Sequence, residues 1–412
     1  MTSTTGPVGA AQVNAPSSDL DPFSDGFLTD PYPGHTELRE AGPVVWLSRY
    51  RIWAMARHAE VDRALKDPEA YCSSAGVGLS DFRKEKPWRP PSLLLEADPP
   101  EHTRARAVVS RVLTPPAVRR LKDDFQRRAD ELVASLVARG GFDAVTDLAE
   151  VFPVAVFPDA VGLPVEGREH LLPYGAMAFN AFGPRNEHFN RAMEGLEPVQ
   201  RWIAASCQPE ALDPAGLGAK LHQSARESGY TVDEAALLLR SFLTAGVDTT
   251  VYGLGNAVAC LAEHPDQFAA LRADPSLARA AFEEVLRFSS PVQTFFRTTT
   301  RPVPVDGPEG TVEIPAGDKV LLFLGAANRD PRRWDRPEEF DISRRAVGHL
   351  GYGAGPHACV GQMMARLEGE VVLTALAQQV RELTPVGPAR PRLNNTLHGL
   401  DQLPVRVVAA AG

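Results

Sequence analysis

The stretch GYGAGPHACVG, residues 351–361, sets four glycines, a proline and a histidine around a single cysteine. A cysteine in a loop becomes chemically useful as a thiolate. Glycines let backbone N–H groups approach the sulfur and hydrogen-bond to it. The segment GQMMARLEGEVVLTALAQQVREL (361–383) follows directly and has helical character. The positive end of its dipole favours an anion just before it. Three readings compete. A nucleophile would need a base; His357 is two residues away, but adjacency in sequence seldom gives the required geometry. A structural cysteine needs no such glycines. A metal-ligating thiolate suits the pattern better.

The rest of the chain narrows the class. It has 412 residues, 44% hydrophobic and 23% charged, with a formal net charge of −9. That acidity argues against nucleic acid, which needs a basic surface. No run approaches the ~18–20 apolar residues of a membrane helix. The opening MTSTTGPVGAAQVNAPSS lacks a basic segment and an apolar core, so no secretory signal is expected. Residues 1–18 read as a flexible tail and 19–412 as a single catalytic domain. The four cysteines, Cys72, Cys207, Cys260 and Cys359, are far apart without Cys-x-x-Cys pairing. A disulfide framework or zinc site is not expected, and a cytoplasmic setting is.

PVVWLS (43–48) and RIWAMA (51–56) read as a hairpin. Residues 117–138 have apolar positions at helical spacing. DPSLARAAFEEVLRF (274–288) opens with Asp274 as N-cap and Pro275 in the first turn. FFRTTTRPVPVDG and GDKVLLFLGAA are β-like. The expected class is therefore mainly α with small β-sheets. Residues 234–262 read as one long helix, apolar nearly all round and so expected to be buried. Its middle, TAGVDTT, breaks the pattern with Gly246, Asp248, Thr249 and Thr250. Two readings stand: a kinked core helix whose threonines bond back to carbonyls, or a site where a large group meets the helix beside an acid and an alcohol. Glu284 and Arg287, three apart, share a helix face and can pair.

A lone thiolate cannot hold zinc or an iron–sulfur cluster, which take several protein ligands. It can be the axial ligand of haem iron, because the porphyrin supplies the other four. The spacing resembles the haem-binding loop of the cytochrome P-450 monooxygenases, Phe-x-x-Gly-x-x-x-Cys-x-Gly, with Tyr352 where phenylalanine is usual and Gly353 after it. TAGVDTT resembles that family's oxygen-activation sequence, Glu284-Val-Leu-Arg287 its Glu-x-x-Arg pair, and NRDPRRWDRPEEFD (328–341) its meander. His102 and Arg106, with Arg297 and His357, resemble the haem-propionate partners. The resemblance covers about residues 20–410. It implies the family's triangular prism, with haem b between the long helix and the cysteine-loop helix, and Cys359 as axial ligand. It implies Asp248 and Thr249 as the proton-delivering pair. It implies consumption of O2 with electrons from a separate [2Fe-2S] ferredoxin and its reductase, since no flavin or iron–sulfur domain is apparent. Arg344, Arg345 and Arg366 flank the cysteine loop and are candidates for meeting an acidic partner.

Residues 80–104, 179–184, RSFLTAGVDTT and SPVQTFFRTTT resemble the bacterial subfamily that demethylates 4-methoxybenzoate and related para-substituted benzoates. The resemblance implies an aromatic carboxylic acid as substrate, with 4-hydroxybenzoate and formaldehyde as products. It implies Arg89, Ser92, Ser241 and Arg240 at the carboxylate, with Thr244 beside them. It implies Phe179, Phe182, Phe295, Leu95, Val292 and Leu397 as apolar walls, and Gln200 near the mouth. Read from the residues alone, Arg89 between Trp88 and two prolines is a stiff loop charge that needs a partner. Two alternatives remain: a hydroxylase for a larger natural product, and a haem protein that senses without turnover.

Overall fold

The structure is a computed structural model that describes residues 15–308 and 310–410. Among the described residues helices dominate, as the 3.6-residue periodicity predicts, and four small sheets flank them. The largest sheet has six strands in the order Ser17–Ser18, Val45–Leu47, Ile52–Met55, Lys319–Phe323, Thr294–Thr299, Tyr71–Cys72. The expected hairpin is its second and third strands, paired Val45 to Ala54. Most of the expected tail, residues 1–14, lies outside the described residues. Its last two residues correct the boundary, because Ser17–Ser18 pair in parallel with Trp46 and Leu47.

Two expected helices end or start elsewhere. The segment 117–138 divides into Pro115–Arg119 and Lys122–Ala138. The helix after the cysteine loop runs Gln362–Gln379, and Val380–Pro385 continues as a strand against Pro404–Ala409. The larger difference is in the long apolar helix. It is two helices, Val232–Ala245 and Asp248–Glu263. The first begins with a capping box between Thr231 and Glu234. The break falls where Gly246 packs beneath Phe157: a Cβ there would lie 2.3 Å from Phe157 Cζ. The carbonyl of Ala245, freed by the break, accepts a hydrogen bond from Thr249 Oγ1 at 2.7 Å. Both sequence readings of TAGVDTT thus hold part of the answer, since a threonine does bond back and the break opens onto a cavity.

The core of the molecule is continuous around these helices, with Phe125, Phe152, Phe282 and Leu254 among its buried members. Glu284 and Arg287 sit within it, 0% exposed. Arg287 donates to both carboxylate oxygens at 2.8 Å and to the carbonyls of Asn328, Pro337 and Glu339. The pair therefore ties the helix Ala278–Phe288 to the segment 328–341. No helix among the described residues is long and apolar enough to cross a membrane.

Candidate active site

A cavity of about 250 Å³ opens between the interrupted helix and the cysteine loop. Its lining includes Thr249, Thr250, Tyr352, Gly353, Cys359 and Gly361. The loop is held by its own backbone: Cys359 N–H donates to the carbonyl of Tyr352 at 2.7 Å. Gly353 and Gly355 adopt φ of +67°, which L side chains avoid. Burial raises the thiol pKa, while the N–H groups of Gly361 and Gln362 and the charges of Arg106 and Arg366 favour the thiolate. A Cβ on Gly361 would stand 3.8 Å from the sulfur. Cys72, Cys207 and Cys260 are buried in the core, so only Cys359 faces the cavity.

Four basic side chains converge on one part of the wall: His102, Arg106, Arg297 and His357. Both ring nitrogens of His102 lack a partner although the residue is 2% exposed. Its ring lies 4.1 Å from that of His357. Burial, then Arg297, drives the His357 pKa down to about 3; burial lowers Arg297 to about 10. Among the described residues no carboxylate forms an ion pair with any of the four. Asp98, the acid whose charge is felt here, accepts from the N–H groups of Ser73 and Ser74. The guanidiniums of Arg106 and Arg297 are thus buried charges without an acid partner, beside two imidazoles that burial keeps neutral, a setting that favours an anion.

Another part of the wall carries Arg89, Ser92, Leu95, Arg240, Ser241 and Thr244. Ser92 and Ser241 hydroxyls meet at 2.9 Å. Arg240 donates only to the carbonyls of Pro90 and Pro91, and no acid among the described residues pairs with it. Thr244 Oγ1 donates to the carbonyl of Arg240 at 2.9 Å. The expectation for Arg89 needs correction. Its guanidinium is bidentate on Glu96, at 3.1 and 3.2 Å, with both side chains buried. Glu96 also accepts from Ser92 N–H at 2.6 Å. The charge of Arg89 is thus neutralised inside the chain, and Arg240 is the cation left for a ligand. Glu96, seven residues beyond Arg89 and preceded by three leucines, is the partner that the sequence reading missed.

Phe179, Phe182, Val292 and Phe295 line the cavity as expected. Phe182 lies edge-on to Phe179 and tilted to Phe295, both at 5.8 Å. Leu397 is absent from the wall and packs behind it, bridged to Val292. Gln200, on the helix Leu196–Ser206, does not reach the cavity, because the buried face of that helix presents Val199, Ile203 and Ser206. Asp248 also lies behind the wall rather than on it. Burial raises its carboxyl to about 7. A Cβ on Gly175 would stand 2.6 Å from its Cγ, so that glycine makes the room it occupies. Glu368, on the cysteine-loop helix, lines the cavity with both oxygens unpartnered and its pKa raised by burial.

The family model described as Cytochrome P-450 matches residues 214–405. Cytochrome P-450 CYP199A2 of Rhodopseudomonas palustris is 57% identical over 396 residues, 96% of this chain and 95% of its own. The chain belongs to the cytochrome P-450 family. The vitamin D(3) 25-hydroxylase of Pseudonocardia autotrophica is 34% identical over 93% of this chain and 96% of its own. Among solved structures, cytochrome P-450 CREJ in complex with (4-ethylphenyl) dihydrogen phosphate has a TM-score of 0.82 and 29% identity, covering 94% of this chain and 98% of that one. Cytochromes P-450 are oxidoreductases that carry haem b with a thiolate-ligated iron. The residues here fit that group: one thiol in the cavity with backbone N–H donors, and a cluster of basic side chains with no acid partner among the described residues, suited to two propionates.

Proposed function

We propose that this monooxygenase oxidises para-substituted benzoic acids, above all removing the methyl group of 4-methoxybenzoate as formaldehyde and leaving 4-hydroxybenzoate. The observation that carries the reading is the polar corner of the cavity. Two hydroxyls 2.9 Å apart stand beside Arg240, a buried cation without an acid, in a wall otherwise built of Phe179, Phe182, Phe295, Val292 and Leu95. That chemistry suits a flat aromatic ring with one carboxylate. Ser241 stands on the helix before the break and Thr249 on the one after it, both on the cavity wall. Anchoring the acid near Ser241 therefore directs the opposite end of the ring toward Thr249 and Cys359. The solved relative CREJ is described with a para-alkylphenyl phosphate, also a ring with an anionic head.

Cys359 would hold the haem iron, with Gly361 and Gln362 N–H groups on its sulfur and Tyr352 beside it. His102, Arg106, Arg297 and His357 would receive the propionates. Bound haem supplies activation of O2 by two electrons, with the thiolate favouring O–O cleavage. Asp248, with a pKa of about 7, can hold or release a proton at neutral pH. Thr249 offers the hydroxyl at the wall that passes it on. The aromatic cluster excludes water and keeps the ring in plane. Bacterial members of the family generally use a ferredoxin and a reductase; we assign a [2Fe-2S] ferredoxin here. The four unpaired cysteines favour the cytoplasm.

A panel of substituted benzoates titrated against the holoprotein tests the reading. 4-Methoxybenzoate should shift the Soret band toward high spin, and its amide or 2-methoxy isomer should not. A response to terpenoids or steroids but not to benzoates would favour a hydroxylase of larger molecules, in keeping with the name of the vitamin D(3) relative.

A further inference from the structure

Lys319 is a buried cation that no reading above uses. It begins the strand Lys319–Phe323 and is 8% exposed. Its ammonium donates to three backbone carbonyls of one loop: Ala75 at 3.1 Å, Gly76 at 2.8 Å and Gly78 at 2.9 Å. The three donors of an ammonium are thereby satisfied. No carboxylate forms an ion pair with it among the described residues. Three converging carbonyls would repel one another without a cation, so the loop and the lysine depend on each other. Burial lowers its pKa to about 8, which leaves it mostly charged at neutral pH.

The loop is wedged against the substrate cavity. Gly76 has φ +95°, a turn open to glycine. Val77 is fully buried among Phe179, Phe182, Tyr252 and Leu397, and its carbonyl accepts from Phe296 N–H at 3.0 Å. Leu79 N–H donates to the carbonyl of Phe182 at 2.8 Å. A Cβ on Gly78 would stand 2.7 Å from Phe182 Cα. Phe182 in turn forms the cavity wall with Phe179 and Phe295.

We propose that Lys319 is a positioning residue for substrate selection: its ammonium clamps the loop 75–79, and that loop holds Phe182 where the aromatic ring of the substrate must lie. Lys319 touches neither substrate nor cofactor and acts only through Phe182. The proposal rests on the benzoate reading for the ligand used in its test.

The test is a double-mutant cycle on the holoprotein with Lys319→Met and Phe182→Leu, read by Soret titration with 4-methoxybenzoate. Each single variant should weaken binding about tenfold, and the double variant should be scarcely weaker than the worse single one. The turnover number should fall less than the affinity. Lys319→Gln, which keeps two donors, should recover part of the loss. Gly78→Ala, which crowds Phe182 from the loop side, should mimic Lys319→Met even if the methionine variant folds poorly. Additive effects in the cycle, or wild-type affinity in Lys319→Met and Gly78→Ala, would overturn the proposal. Failure of the wild-type protein to bind 4-methoxybenzoate would instead sink the benzoate reading.

Discussion

Arg89 and Arg240 are both buried and both reach the cavity, but their partners separate them. Glu96 neutralises Arg89, whereas Arg240 meets only carbonyls. Arg240→Gln should therefore raise the dissociation constant for 4-methoxybenzoate ~10–100-fold, about 1.4–2.8 kcal/mol. Binding of neutral 4-methoxytoluene should hardly change; an equal loss for both ligands in Soret titrations would contradict this assignment. Arg89→Met should act on stability first, because it strands Glu96 as a buried charge at a cost of ~3–5 kcal/mol, visible as a lowered thermal midpoint. The sequence announced that Arg89 needs a partner. It could not say that the partner is internal, since a chain reversal between Pro90 and Glu96 brings two charges together that no helical or strand spacing relates. Cys359 was legible for the opposite reason: the backbone groups that hold it, those of Tyr352, Gly361 and Gln362, are local in sequence.

The interrupted helix shows what periodicity can and cannot say about an element. Apolar residues all round from 234 to 262 announced burial, and TAGVDTT announced an irregularity. At the break, Phe157, far away in sequence, fills the space that a side chain at 246 would need, so only glycine fits there. Gly246→Ala should cost ~1–3 kcal/mol by overpacking, read from chemical unfolding of the holoprotein. Thr249→Ala removes the hydroxyl that now donates to Ala245. It should leave benzoate affinity within about twofold and divert oxygen to peroxide; fully coupled turnover would refute the relay. The pair of Glu284 and Arg287 was visible as a spacing, but its 0% exposure was not. Glu284 also receives Arg344 at 3.1 Å, and Arg366 is bidentate on Glu283. Two of the three arginines expected to face a partner are therefore committed internally, which leaves the exposed Arg345. A docking surface depends on which charges remain unpaired after folding, and that is a property of the packed elements.

At the scale of the molecule, several bases are buried in the neutral form. His35 is fully buried without a hydrogen-bond partner, among Phe27, Tyr32 and Phe323. Burial lowers its pKa, and lowers that of His398 to about 4. A folded-state value below the unfolded ~6.5 means that the unfolded chain binds more protons in between. Stability should therefore fall as pH drops from about 6.5 toward 4, and urea midpoints across that range should show it. His35→Phe should flatten the dependence; an unaltered slope would assign it elsewhere. The burial of all cysteines but one has a practical outcome. Maleimide should find no thiol in protein loaded with its prosthetic group, and one equivalent once that group has been extracted. Alkylation then becomes a stoichiometric gauge of holoprotein content, independent of colour, and rapid labelling of the fully loaded form would show that the sulfur is not bound to iron.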